Sequence, residues 1–179
     1  DLCMVDHLPD LVDAGVDSLK IEGRMKTALY VATVARTYRK ALDDLEKGRE
    51  VYEQNLPWYE QQITGCTYRR FTTGFFYGKP DENSQIYDSN TYEKDYVYLG
   101  IAGQPDAAGV FDLEQRNKFS VGETIEIMKP DGRNIEVTVE HIQDLEGNEQ
   151  ESAPHAKQAL KVKLSSAPEA MDILRRKDF

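Results

Sequence analysis

The sequence predicts an α+β fold, with a helix–strand–helix piece at the N-terminal end followed by a small antiparallel β-barrel. Three observations predict it. Apolar residues recur at helical spacing through residues 26–46. Just before them, a short apolar run at residues 17–22 ends in Glu22-Gly23-Arg24. From about residue 95 the pattern changes to short alternating runs separated by turn signals.

Taken in order, residues 7–14 read as a helix through Leu8, Leu11 and Val12, with Gly15 at the C-terminal position that favours a left-handed residue. Residues 17–22 read as a strand carrying Leu19 and Ile21. Residues 26–46 read as the strongest helix, with Leu29, Ala32, Val34, Tyr38, Ala41, Leu42 and Leu45 on its apolar faces and Gly48 after its end. Helix, strand and helix thus follow at α/β spacing. One strand makes no sheet, so this piece is expected to pair with strands beyond it, with a second copy, or to pack on the β-barrel. Pro57 is expected to start a short helix through Ile63. Residues 68–80 mix aromatics, cations and glycines, and residues 81–95 form a polar connector.

Six strands are then expected at residues 96–102, 109–114, 123–128, 135–143, 160–164 and 173–175. Pro130-Asp131-Gly132 and Glu146-Gly147-Asn148 supply turns between them. Phe119 and Val121 are placed as buried residues around a turn before the third strand. Short strands at this spacing suggest a small closed β-barrel. The domain boundaries drawn from this pattern are 1–63, a connector at 64–95, and 96–179.

A chain of 179 residues can bury a real core in one or two domains. Its net charge of −10 argues against a generally basic nucleic-acid coat, though a local basic patch stays open. No apolar run is long enough to cross a bilayer, so no membrane partner is expected. Asp1 is not an initiator methionine and stands directly before an apolar motif, so the chain is expected to be part of a longer one. The two cysteines, Cys3 and Cys66, lie far from CxxC spacing. That argues against a disulfide framework or a self-contained zinc site, and makes a reducing cytoplasm the default.

The corner formed by Lys20, Glu22, Arg24 and Lys26 has two readings. Glu22 and Arg24 form an ion pair with the lysines solvated, or the corner binds an anion through Arg24, Lys26 and the backbone N–H groups at the helix start. Functional groups gather where a strand's carboxyl end meets the next helix in α/β folds, which favours a site here. Cys3, near a helix start, is either a thiolate or metal ligand or a small buried hydrophobe. In the run from Tyr68, Arg69 and Arg70 to Phe75, cations stand beside stackable rings, a composition that serves a core or holds single-stranded RNA. His7, His141 and His155 show no metal or triad spacing, and neither Gly-x-Ser-x-Gly nor His-Glu-x-x-His occurs.

Asp1-Leu2-Cys3-Met4, Leu8-Pro9-Asp10-Leu11, and the stretch from Ala14-Gly15-Val16 through Lys20-Ile21-Glu22-Gly23-Arg24-Met25-Lys26 resemble the peptidase U32 (collagenase-like) family. So do Tyr30-Val31-Ala32, Tyr38-Arg39, Thr73-Gly74-Phe75 and Asn117-Lys118-Phe119. The resemblance implies a parent with a catalytic (β/α)-barrel, whose C-terminal end is residues 1–63, and a C-terminal β-barrel. It implies an enzyme of one of two kinds: a collagenase-like endopeptidase of unassigned mechanism, or an RNA base-hydroxylation enzyme acting on tRNA wobble uridine or ribosomal RNA cytidine. The residues suit the second better, with Lys20, Glu22, Arg24 and Lys26 as substrate or anion ligands and Tyr68, Arg69, Arg70 and Phe75 as RNA contacts. A non-catalytic RNA- or protein-binding β-barrel is the third alternative. The family's cysteine-rich signature lies upstream. The resemblance therefore implies an iron–sulfur cluster on the parent's upstream cysteines, no cofactor in this chain, and no activity of this chain alone. The implied partners are tRNA or ribosomal RNA and the N-terminal part of the same protein.

Overall fold

The structure is a computed structural model that describes residues 1–66, 71–79 and 95–178. The chain divides into two compact units, Asp1–Asp95 and Tyr96–Phe179.

In the first unit a 3-10 turn at Val5–His7 runs into α1 (Leu8–Asp13), with Pro9 in the first turn, where a missing N–H is tolerated. Gly15 takes φ 79° and Val16 N–H closes on the Leu11 carbonyl at 3.0 Å, so the chain leaves α1 through the expected left-handed residue. Helix α2 (Ala28–Lys47) is capped by Thr27, whose hydroxyl accepts from Tyr30 N–H at 3.2 Å. It ends at Gly48, and α3 (Arg49–Thr64) begins at once. Val5, Leu8, Ala41, Tyr52, Tyr59 and Ile63 form the core between these elements.

Two expectations need correction here. Residues 17–22 form no strand and make no ladder hydrogen bond with any described residue. The apolar alternation is present, but a strand exists only with a hydrogen-bonded neighbour, and none lies alongside among the described residues. The third helix does not start at Pro57; that proline sits inside α3, which begins at Arg49. Proline mid-helix costs about 3 kcal/mol, but Tyr52 before it and Tyr59 and Ile63 after it all bury in the core and outweigh that cost. The expected connector at residues 81–94, like Tyr68, Arg69 and Arg70, lies outside the described residues.

In the second unit the strands are β1 (Tyr96–Ile101), β2 (Val110–Glu114), β3 (Thr124–Met128), β4 (Asn134–Gln143), β5 (Ala159–Leu164) and β6 (Ile173–Lys177). All pairs are antiparallel, in the order β1-β6-β3-β4-β5-β2. The inward residues of each strand, among them Leu99, Phe111, Ile125, Val139, Val162 and Leu174, meet in one core. Phe119 joins it as expected; Val121 does not, and stands 42% exposed. The turn at Asp131 and Gly132 is closed by Lys129 N–H on the Arg133 carbonyl at 2.9 Å. Charged groups are buried here too: the Arg175 guanidinium lies 2.9 Å from the Glu126 carboxylate and 3.8 Å from the centroid of the Tyr96 ring, and Lys129 Nζ donates to Asp172 at 2.7 Å.

The expected barrel closure is not present as a ladder. Edge strands β1 and β2 meet in an isolated bridge between Ala102 and Leu113, flanked by Gly103 N–H on the Asp112 carbonyl at 2.9 Å. The approach is so close that a Cβ on Gly100 would lie 2.5 Å from Leu113 Cδ1 and 2.9 Å from the Glu114 carbonyl oxygen, which explains glycine there.

Candidate functional site

The first unit holds a cavity of about 550 Å³ whose walls come from several separated stretches of chain. The N-terminal residues are fixed by a parallel bridge: Cys3 N–H donates to the Thr72 carbonyl at 3.0 Å, and Thr72 N–H to the Asp1 carbonyl at 2.9 Å. This bridge also anchors the loop that brings Phe71 and Phe76 to the cavity. Helix α2 contributes Tyr30, Val34 and Tyr38, which share a face because they stand four residues apart. The segment after α1 contributes Ser18, Leu19, Lys20, Ile21 and Glu22.

The segment lies close on α2 because Gly23 has no side chain: a Cβ there would come within 2.9 Å of Val31 Cγ2. The Gly23 carbonyl then accepts Lys26 N–H at 2.9 Å, turning the chain into the helix. Lys20, Glu22 and Lys26 line the cavity, and the Lys26 ammonium stands 5.1 Å from the centroid of the Tyr30 ring. Arg24 is exposed and does not line it. Glu22 Oε1 accepts the backbone N–H of Arg24 at 3.3 Å, and the Glu22 carboxylate forms no ion pair with the Arg24 guanidinium. The four residues of the sequence corner are therefore split: three face the cavity and one faces water.

Cys3 does not sit as a thiolate. Burial pushes its thiol above the usual range, outweighing nearby hydrogen bonds that act the other way. Its Sγ is 3.8 Å from the Tyr38 hydroxyl, which also accepts Met4 N–H at 3.0 Å. Burial likewise raises the Tyr38 phenol, so both groups are protonated at neutral pH. Cys66 is buried just past the end of α3, with its Sγ 3.8 Å from the Gln62 carbonyl. Among the described residues no group of three or more His, Cys, Asp and Glu is placed to hold a metal. An iron–sulfur cluster takes four thiolates; the two cysteines here do not make that set.

Of the aromatic run, Phe75 is 78% exposed and points to no described partner in the core. Tyr77 is held against α1: its hydroxyl donates to Asp10, and its ring centroid is 4.7 Å from that of His7. Sequence reasoning missed Tyr30, Tyr38, Phe71 and Phe76 as cavity residues. The spacing of Tyr30, Val34 and Tyr38 was a usable signal for one wall, but it reads equally as core. Phe71 and Phe76 reach the cavity only through the bridge to Thr72, which no local pattern announces.

Residues 1–86 match the model of peptidase family U32, and residues 94–175 match that of the peptidase family U32 C-terminal domain. The tRNA hydroxylation protein P1 of Bacillus subtilis is 34% identical over 98% of this chain and 42% of its own length. The tRNA hydroxylation protein P of Escherichia coli is 34% identical over 86% of this chain and 33% of its own. A collagenase of Porphyromonas gingivalis is 31% identical over 79% of this chain and 40% of its own. The chain thus spans less than half the length of these relatives. A crystal structure of the C-terminal domain of a U32-type protein from Geobacillus thermoleovorans aligns with 29% identity and a TM-score of 0.41, over 46% of this chain and 92% of that one.

Proposed function

We propose a function from one premise: this chain belongs to peptidase family U32. It is the C-terminal part of an RNA base-hydroxylation enzyme, and it positions RNA for chemistry performed elsewhere in the protein. The observation that carries this reading is the cavity that joins Lys20 and Lys26 to the rings of Tyr30, Phe71 and Phe76, in a chain 34% identical to two tRNA hydroxylation proteins. Cations beside stackable rings are what RNA recognition uses. Arg24 and Lys26 act as anion ligands, Glu22 orients Arg24 through its backbone N–H, and exposed Phe75 contacts RNA, with Tyr68, Arg69 and Arg70 beside it in sequence.

Residues 1–63 serve as the end of a (β/α)-barrel, in which residues 17–22 gain strand neighbours, and residues 96–179 serve as an RNA-docking β-barrel. Any iron–sulfur cluster rests on cysteines outside this chain. No described helix is long and apolar enough to cross a membrane; the protein works in the cytoplasm, where tRNA and ribosomes are.

A second reading, a collagenase-like endopeptidase, is favoured by the Porphyromonas relative. Cys3, protonated and packed on Tyr38, does not supply it with a thiolate nucleophile. Filter binding of tRNA to the chain across salt concentrations separates the two. Affinity is expected to fall with salt, and R24A and K26A are each expected to reduce the log–log slope by about one. Absence of tRNA binding, together with cleavage of gelatin by the full-length protein, overturns the RNA reading.

A further inference from the structure

We propose that the cavity of the first unit takes a single ribonucleotide turned out of the RNA, and that Glu22 reads its ribose 2′-hydroxyl. The inference rests on the RNA reading above and adds the ligand and the residue that selects it.

The cavity, at about 550 Å³, has room for one nucleotide and not for a duplex. Its lining sorts by chemistry into three parts. Phe71, Phe76 and Tyr30 are flat rings suited to a base face. Lys20 and Lys26 suit a phosphate. Asp1 and Glu22 are carboxylates in the same wall, and a carboxylate placed beside two lysines would weaken a site built for phosphate alone. A carboxylate does have a use in nucleotide recognition: it accepts a hydrogen bond from a ribose 2′-hydroxyl. Glu22 is held ready for this. Its Oε1 is fixed on the Arg24 backbone N–H at 3.3 Å, and no hydrogen bond or ion pair to a described residue engages Oε2. The 2′-hydroxyl is the group that distinguishes RNA from DNA, so Glu22 makes the site specific for ribonucleotides.

Calorimetric titration of the 179-residue chain with uridine 5′-monophosphate, its 2′-deoxy counterpart, uridine and inorganic phosphate tests this. The ribonucleotide is expected to bind roughly tenfold tighter than the deoxyribonucleotide, the difference of one hydrogen bond to a charged group. E22A brings the two to equal affinity, and E22Q, which keeps an acceptor for Arg24 N–H, leaves an intermediate ratio. K26Q weakens the nucleotide but not uridine, and F76A weakens both roughly tenfold; Phe76 is 58% exposed, and an unchanged melting temperature confirms that F76A folds. Equal binding of ribo- and deoxyribonucleotide by the wild type, a ratio unmoved by E22A, or phosphate binding as tightly as nucleotide overturns the inference. If tRNA binds with salt dependence while no mononucleotide does, this inference fails and the RNA reading stands. If neither binds, both fail.

Discussion

Tyr38 holds its hydroxyl between the Met4 N–H and the Cys3 sulfur, and that placement settles what Cys3 does. A cysteine near a helix start invites a thiolate reading, yet burial dominates here and raises the thiol. Because an acid with a raised pKa stays protonated to higher pH, alkylation of Cys3 by iodoacetamide is expected to be slow at pH 7 and to accelerate only above pH 9. A rate already at its plateau at pH 7 would show the opposite. The corner at Lys20, Glu22, Arg24 and Lys26 was legible in the sequence as a cluster, since charge and glycine spacing are local facts. Which of the four faces the cavity was not legible, because that depends on Gly23 letting the segment lie on α2.

Helices α2 and α3 are joined by one buried carboxylate. Asp44 accepts from Lys40 at 2.5 Å, Tyr59 at 2.7 Å, and Lys47 and Asn55 at 3.1 Å. Burial alone would raise its pKa, but the hydrogen bonds from Lys40, Tyr59 and Lys47 outweigh burial and hold it below the usual range. D44A strands the buried Tyr59 hydroxyl and costs about 3 kcal/mol, measured by urea unfolding at pH 7. A depressed carboxylate stabilises above its unfolded pKa and loses that stabilisation as pH falls through the folded value, so the wild-type advantage should shrink steadily below pH 4. A wild-type advantage undiminished at pH 2 would contradict this.

At the same scale, the strands of the second unit were read to within a residue or two over most of their length. Each has a neighbour within the chain, so its alternation is used as written. Residues 17–22 carry the same alternation without a neighbour, and the pattern alone could not supply one. Pro57 misled for a related reason: its local preference for a helix start lost to the tertiary burial of Tyr52, Tyr59 and Ile63.

For the molecule as a whole, a net charge of −10 works against RNA binding unless the cations are gathered. They are gathered in part: Lys20 and Lys26 share one cavity with four rings, and Arg24 stands two residues from Lys26 in sequence. Family membership was legible from the Lys20-Ile21-Glu22-Gly23-Arg24 run, while the cavity that gives that run a use was not, because its walls come from residues up to 75 positions apart. The most direct test of RNA positioning is mass spectrometry of hydroxylated nucleosides in tRNA and ribosomal RNA from a strain deleted for the full-length gene. Hydroxylation should be lost on deletion, return with the wild-type gene, and return at least tenfold less with the gene carrying R24A and K26A. Hydroxylated tRNA and ribosomal RNA unchanged in the deletion strain would contradict the account.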